Sequence, residues 1–173
     1  GIERAMKGGI GTAAERTASG ITVGALIAVN SFGEVVDPDS GRVVAGPRGE
    51  RPGMFVDTLE VLRARPPLSP FAAGPNSTIG VLATNAVLTK QDAYRLAVIA
   101  KTGLTRAVRP AHTPVDGDTI FALATGRNAE PAGILQLGAL AARAVERAIV
   151  RAITQATSVA GAPSVREWAA RDQ

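Results

Sequence analysis

Residues 76–90 read NSTIGVLATNAVLTK, and this stretch by itself indicates the class of fold. Its first part, from Ser77 to Thr84, is a nearly continuous apolar run, which predicts a buried β-strand. A helix then begins, because Thr89 is a preferred N-cap residue and Asp92 places an acidic side chain in the first turn. A buried strand that runs directly into a helix predicts a layered α/β protein.

Similar patterns occur on both sides of this stretch. Apolar, β-branched runs predict further strands over residues 21–30, 34–36, 42–44 and 119–124, the first of them buried on both faces. The helix that begins at Thr89 continues until Pro110 closes it, and Gly103 predicts a weak point within it. A second, longer helix is predicted over residues 134–157. Its polar face is predicted to be a solvated stripe of Arg143, Arg147 and Arg151.

Residues 46–76 differ in composition from the segments around them. Six of the eleven prolines of the chain fall there. Proline resists both a helix interior and a central strand, so the segment is predicted to be an irregular surface linker. Within it, residues 54–65 could form a short helix.

The composition excludes several classes of protein. The 173 residues contain no cysteine and one histidine, which excludes disulfides, thiolate catalysis, Cys-based metal sites and a His-rich metal cluster. The net charge of +4 comes largely from scattered arginines with few aromatic partners, which argues against nucleic-acid binding. No apolar run reaches the roughly 18–20 residues that a membrane-spanning helix needs.

The sequence begins Gly1-Ile2-Glu3-Arg4, without a starting methionine or an apolar signal segment. We interpret the chain as an interior fragment or processed product of a single domain. Because few strands are predicted, an N-terminal region outside the chain is expected to complete the sheets.

Ser77 is the first candidate for chemistry. A serine hydroxyl needs a base to become a good nucleophile, and its own α-amine supplies one if the chain is cut at Asn76–Ser77. Such an amine has an ordinary pKa of about 7.7–8.0, so its unprotonated form is populated near neutral pH. The head of a strand after an exposed linker suits such a cut, although many strands begin with serine after a loop.

Four other residues carry polar groups beside predicted strands. Asp116 and Asp118 could orient an ammonium or accept hydrogen bonds from a serine, although Asp-Gly-Asp is also a common turn. The side-chain amide of Asn30 could donate to an oxyanion or simply end its strand. For His112 we favour a structural hydrogen-bonding role over catalysis.

The glycine-rich run over residues 7–12 lacks the features of a phosphate-binding loop. No apolar strand precedes it, and no Gly-Lys-Ser/Thr ends it. Close packing of the backbone is the better explanation of its glycines.

Four segments occur in an order that resembles one protein family. They are KGGIGTA at 7–13, VGALIAVNSFGEVVDP at 23–38, NSTIGVLATNAVLTK at 76–90 and RPAHTPVDGDTIFALATG at 109–126. Together they resemble the L-aminopeptidase/D-esterase family, which includes the β-aminopeptidases and the nylon-oligomer hydrolases. The resemblance covers about residues 7–164, nearly the whole chain.

The resemblance implies an αββα sandwich that cuts itself between Asn76 and Ser77 into two subunits that stay associated. Residues 1–76 would be the C-terminal part of the larger subunit. Residues 77–173 would be the smaller subunit, headed by Ser77 as the nucleophile.

The resemblance also implies roles for single residues. Asn30 matches the family's oxyanion-stabilising asparagine. Asp116 and Asp118 match an acidic pair of the nylon-oligomer hydrolases, whose nucleophile is a threonine; the aminopeptidase branch has a serine and a glutamate there. A family lysine near the site would be Lys7 or a residue before Gly1.

The function implied is that of a cytoplasmic, homo-oligomeric amidohydrolase or aminopeptidase without a cofactor or metal. Its partners would be a peptide or amide substrate and the N-terminal region of the same protein, with no nucleic acid and no membrane. Two other functions stay open on the sequence: a self-cleaving acyltransferase of similar fold and a non-catalytic binding module.

Overall fold

The computed structural model describes residues 2–64 and 76–170. Its strands are β1 (Ile10–Arg16), β2 (Thr22–Ala28), β3 (Glu34–Val36), β4 (Val43–Ala45), β5 (Ile79–Ala86), β6 (Val108–Arg109) and β7 (Thr119–Asn128). Its α-helices are α1 (Thr58–Ala64), α2 (Lys90–Ala107), α3 (Ile134–Thr154) and α4 (Val165–Ala170). Residues 65–75 of the predicted proline-rich linker lie outside the described residues.

The strands form two sheets. The larger sheet has the order β1-β2-β5-β7, in which β1–β2 and β2–β5 pair antiparallel and β5–β7 pair parallel. The smaller sheet has the order β4-β3-β6 and is antiparallel. Helix α2 lies in the crossover between β5 and β7, because two parallel strands cannot be joined by a tight turn.

Helices α2 and α3 cover one face of the larger sheet and form the core with it. The centre of this layer consists of fully buried aliphatic side chains, among them Ile27, Leu82, Leu104 and Ile149. The buried side of α3 is rich in alanine, which lets neighbouring backbones approach closely. The predicted layered α/β class is confirmed.

Glycine is required where backbones of different elements meet. A Cβ atom on Gly103 would lie 2.1 Å from the carbonyl oxygen of Ala142 on α3. The weak point predicted at Gly103 is therefore not a break, and α2 is continuous through it. In β1, a Cβ on Gly11 would lie 2.0 Å from the carbonyl oxygen of Ala148. Close backbone packing, as predicted for the N-terminal glycines, is confirmed.

The other face of the larger sheet is apolar and exposed among the described residues. Its large side chains alternate along the strands and are Leu26, Ile79, Val81, Phe121 and Leu123. Phe121 is 60% exposed. The prediction that the strand at 21–30 is buried on both faces is therefore wrong for this chain, since the helices cover one side only.

The three arginines on the polar face of α3 are half-buried or exposed, as expected for a solvated stripe, and two of them also form ion pairs. Arg143 donates to the two carboxylate oxygens of Asp39 at 2.6 and 2.8 Å and to Glu146 at 2.7 Å. Arg147 donates to Glu15 at 2.6 Å. The hydrogen bonds from Arg143 hold the pKa of Asp39 below its usual range.

Most predicted elements are found within a few residues of their expected bounds. The Thr89 side chain accepts from the backbone N–H of Asp92, as expected of an N-cap. Strands β1 and β6 and helix α4 were not predicted. The helix expected to continue until Pro110 ends at Ala107, because Val108 and Arg109 pair with β3 as a strand. Among the described residues, no helix combines the length and the apolar character needed to cross a membrane.

Candidate active site

The residues proposed for chemistry lie at one edge of the larger sheet. Asn30 follows the end of β2, Ser77 precedes the start of β5, and Asp116 and Asp118 precede β7. Because β2 is antiparallel to β5 and β5 is parallel to β7, these three strand ends share one edge. Lys7 precedes β1, whose start lies at the same edge.

Extending the strand registers places Asn30 opposite Ser77, and Ser77 beside Gly117. The first pairing is closed by a backbone hydrogen bond of 2.8 Å from the Ser77 N–H to the Asn30 carbonyl. The second is so close that a Cβ on Gly117 would lie 2.6 Å from the Ser77 Oγ. A residue other than glycine at position 117 would therefore clash with the Ser77 hydroxyl in its present position.

Ser77 faces the uncovered side of the sheet. Side chains alternate along a strand, so Ser77 points to the same side as Ile79, which is 50% exposed. Thr78 points to the opposite side and is fully buried beneath the helices. The hydroxyl is thus accessible to a molecule that approaches the apolar face.

The peptide bond between Asn76 and Ser77 is held from both sides. Its carbonyl oxygen accepts the backbone N–H of Gly117 at 2.8 Å, and its N–H donates to the carbonyl of Asn30 at 2.8 Å. The Ser77 hydroxyl donates to the same Asn76 carbonyl oxygen at 2.6 Å. The hydroxyl lies beside the carbonyl group that it would attack in a self-cleavage reaction.

The two aspartates fix the backbone around this bond. Asp116 accepts the N–H of Phe32 at 3.1 Å and that of Thr113 at 3.2 Å, which ties the loop after β2 to the loop before β7. Asp118 accepts the N–H of Thr78 at 2.8 Å, next to the candidate nucleophile. Most of these contacts thus run to backbone N–H groups, and Asp116 also accepts the Thr113 hydroxyl at 2.5 Å. The sequence had suggested contacts to an ammonium or a serine.

His112 supports the second aspartate. Its Nδ1 lies 3.0 Å from a carboxylate oxygen of Asp118, and its backbone N–H donates to that oxygen at 3.3 Å. The Asp118 side chain is 3% exposed, so these contacts satisfy a carboxylate that has little access to water. The hydrogen-bonding role favoured for His112 on the sequence agrees with this geometry.

Lys7 lies at the same edge, but when the strand register is extended, its neighbour Gly8 is the residue opposite Asn30, which in turn is opposite Ser77. Its ammonium donates to the carbonyl of Gly8 at 2.6 Å. Residues 2–64 and 76–170 contain no group of three or more His, Asp or Glu side chains that could hold a metal ion. The groups that the structure brings together are the Ser77 hydroxyl, the glycine beside it at position 117, and backbone N–H donors.

Gly117 is the residue of this edge that the sequence did not single out as functional. From the sequence it is only the spacer between two acidic residues. The available signal was the combination of Asp-Gly-Asp with a following strand that could pair with the strand of Ser77. Its contribution comes from its backbone N–H and from the absence of a side chain.

Comparison with known proteins gives consistent relationships. The family model of Peptidase family S58 matches residues 2–166. A protein of Mycobacterium tuberculosis, named an uncharacterized aminopeptidase, is 40% identical over an alignment of 180 residues, gaps included. The alignment covers 94% of this chain and 52% of that protein. A 6-aminohexanoate-oligomer endohydrolase of Paenarthrobacter ureafaciens is 29% identical over 117 residues, which cover 65% of this chain and 32% of that protein.

A solved structure shares the fold. The β-aminopeptidase of a Burkholderia species superposes with a TM-score of 0.57 at 32% sequence identity, over 87% of this chain and 43% of that chain. The chain spans about half the length of the mycobacterial relative. The relationship thus extends over nearly all of the chain but only part of each relative.

Proposed function

The chain belongs to Peptidase family S58, and from this premise we propose that the protein is a self-processing amidohydrolase or aminopeptidase with Ser77 as its nucleophile. One observation carries the proposal: the Ser77 hydroxyl lies 2.6 Å from the carbonyl oxygen of the Asn76–Ser77 bond, which neighbouring strands hold on both sides. The substrates proposed are peptides or oligoamides, by analogy with the named activities of the relatives.

The first reaction is the cut itself. Ser77 Oγ attacks the carbonyl carbon of Asn76, an Oγ–C bond forms and the C–N bond breaks, and the hydroxyl proton ends on the released amine. Water then hydrolyses the resulting ester. The products are a carboxylate on Asn76 and a free α-amine and hydroxyl on Ser77.

The second reaction is turnover. The free α-amine of Ser77 takes the proton of its own hydroxyl as that oxygen attacks a substrate amide. The backbone carbonyl of Asn30, which accepts the Ser77 N–H in the uncut chain, is positioned to hold the amine. The side-chain amide of Asn30 is proposed to stabilise the oxyanion, while Asp116 and Asp118 keep the surrounding loops in place.

We also propose that another region of the whole protein covers the exposed apolar face of the larger sheet. Contiguous apolar surface of this kind marks an interaction site. The mycobacterial relative is about twice as long as its matching part, which leaves chain available for that role. Because Ser77 faces this side, the substrate would bind between the sheet and the covering region.

The proposal is tested by the intact mass of the purified full-length protein, followed by an assay on aminoacyl p-nitroanilides and 6-aminohexanoate oligomers. We expect two fragments that meet at Asn76–Ser77, and release of product from at least one amide class. A single uncut mass without amide hydrolysis would contradict the proposal and favour a binding module.

Replacing Asn30 with alanine is expected to lower kcat of the cut enzyme by roughly 10²–10³-fold, the usual cost of losing one oxyanion donor. The control is Asn128→Ala, because Asn128 lies at the far end of β7, where its side chain donates to the Ser19 carbonyl and accepts the Glu130 N–H on the surface. A cut Asn30→Ala enzyme that turns over at the wild-type rate would remove this role from Asn30.

A further inference from the structure

The carbonyl of the bond to be cut has a hydrogen-bond donor of its own. The Gly117 N–H donates to the Asn76 carbonyl oxygen at 2.8 Å, within the ordinary range for a good N–H···O bond. That oxygen becomes the oxyanion when the Ser77 hydroxyl adds to the carbonyl carbon. A donor already aimed at it needs no reorganisation as the charge develops.

We propose that the backbone N–H of Gly117 is the oxyanion donor of the self-cleavage step. The proposal deepens the proposed function and rests on it. The Asn30 side chain has been assigned to turnover of substrate, whereas the donor for processing comes from the strand that follows the acidic pair.

The neighbouring residues aim this donor. Asn76 and Asp116 form a parallel bridge, and the Thr119 N–H donates to the Thr78 carbonyl at 3.0 Å in the next step of the same ladder. Asp118 holds the Thr78 N–H from the other direction at 2.8 Å. The hydrogen-bonded residues on either side of Gly117, Asp116 and Thr119, thus fix the position of the Gly117 N–H relative to the Asn76 carbonyl.

The self-cleavage step also requires that residue 117 has no side chain. Any side chain there would begin 2.6 Å from the Ser77 Oγ and would push the nucleophile away from the carbonyl. Glycine supplies the N–H and leaves the hydroxyl free, so one residue provides both the donor and the space for attack.

The test replaces single backbone N–H groups by oxygen in the full-length protein. Glycolic acid at position 117 changes that amide to an ester and adds no side-chain atom. The matched control is the α-hydroxy analogue of threonine at 119, which removes the next N–H of the ladder and leaves the Asn76 carbonyl untouched. Appearance of the two fragments is followed by intact mass, and folding by circular dichroism.

We expect the ester at 117 to cleave about 100-fold more slowly than the ester at 119, the scale of losing one oxyanion donor. Equal cleavage rates in the two esters would overturn the role of Gly117 while leaving the proposed function intact. An ester at 117 that fails to fold while the ester at 119 folds would make the bond structural and also overturn the role. An unsubstituted protein that is never cut would overturn the proposed function itself.

Discussion

Full-length protein with Ser77 replaced by alanine is expected to remain one uncut chain and to hydrolyse no amide substrate. The variant lacks the oxygen that lies 2.6 Å from the Asn76 carbonyl oxygen, so no acyl shift can begin. Without the cut, no free α-amine forms to act as a base. Loss of a catalytic nucleophile typically lowers kcat on the order of 10⁶-fold, so activity should fall to background. Intact mass and amide turnover measure the two losses separately.

Two variants control for effects other than loss of the nucleophile. Ser31→Ala removes a nearby hydroxyl that donates to the Gly33 carbonyl at 3.0 Å, and it should still be cut and active. Ser77→Thr keeps the hydroxyl and should be cut, but more slowly, because its extra methyl must fit near Gly117. Cleavage at Asn76–Ser77 in the alanine variant would show that another group performs the reaction.

Gly103→Ala is expected to destabilise the fold by about 2–3 kcal/mol, in the upper part of the range for overpacked cores. The new Cβ would lie 2.1 Å from the Ala142 carbonyl oxygen, and a backbone atom cannot rotate away. Helices α2 and α3 must therefore separate across their buried interface. The gain in helix propensity, about 1 kcal/mol, offsets only part of this cost. Urea unfolding of the full-length protein measures the change.

Gly138→Ala is the matched control, since Gly138 lies on α3 in the same interface. There the new Cβ would lie 2.7 Å from the Cγ2 atom of Ile99, a side chain that can adjust. The decrease in the free energy of unfolding should be clearly smaller than for Gly103→Ala. If both variants lost the same stability, the backbone contact at Ala142 would not be the cause.

The elements with strong local signals could be predicted from the sequence. Strands β2, β5 and β7 contain long apolar runs, and α2 has a threonine cap that the structure bears out. Strand β1 has no such signal, because IGTAAER is mostly small or polar. It is a strand because it pairs with β2 along its whole length and lies against α3, contacts that local residue patterns do not reveal.

The candidate site was predictable in its residue types but not in its contacts. Asn30, Ser77 and the two aspartates stand beside apolar runs, and the family resemblance indicated that they belong together. The sequence could not show that Asp116 and Asp118 bind backbone N–H groups, since that depends on how three loops meet. The part played by Gly117 was hidden for a different reason, because it has no side chain to attract notice.

The groups that hold the Asn76–Ser77 bond come from both sides of the cut. Asn30 precedes the bond in the chain and Gly117 follows it, so β2 and β7 must both have docked on β5 before the bond is held. Under the proposed self-cleavage, maturation would act as a checkpoint on folding, because a precursor with an unfinished sheet presents no aligned bond to cut. If Ser77 is the nucleophile as proposed, a cell that makes this protein would be protected from premature peptidase activity without a separate inhibitor.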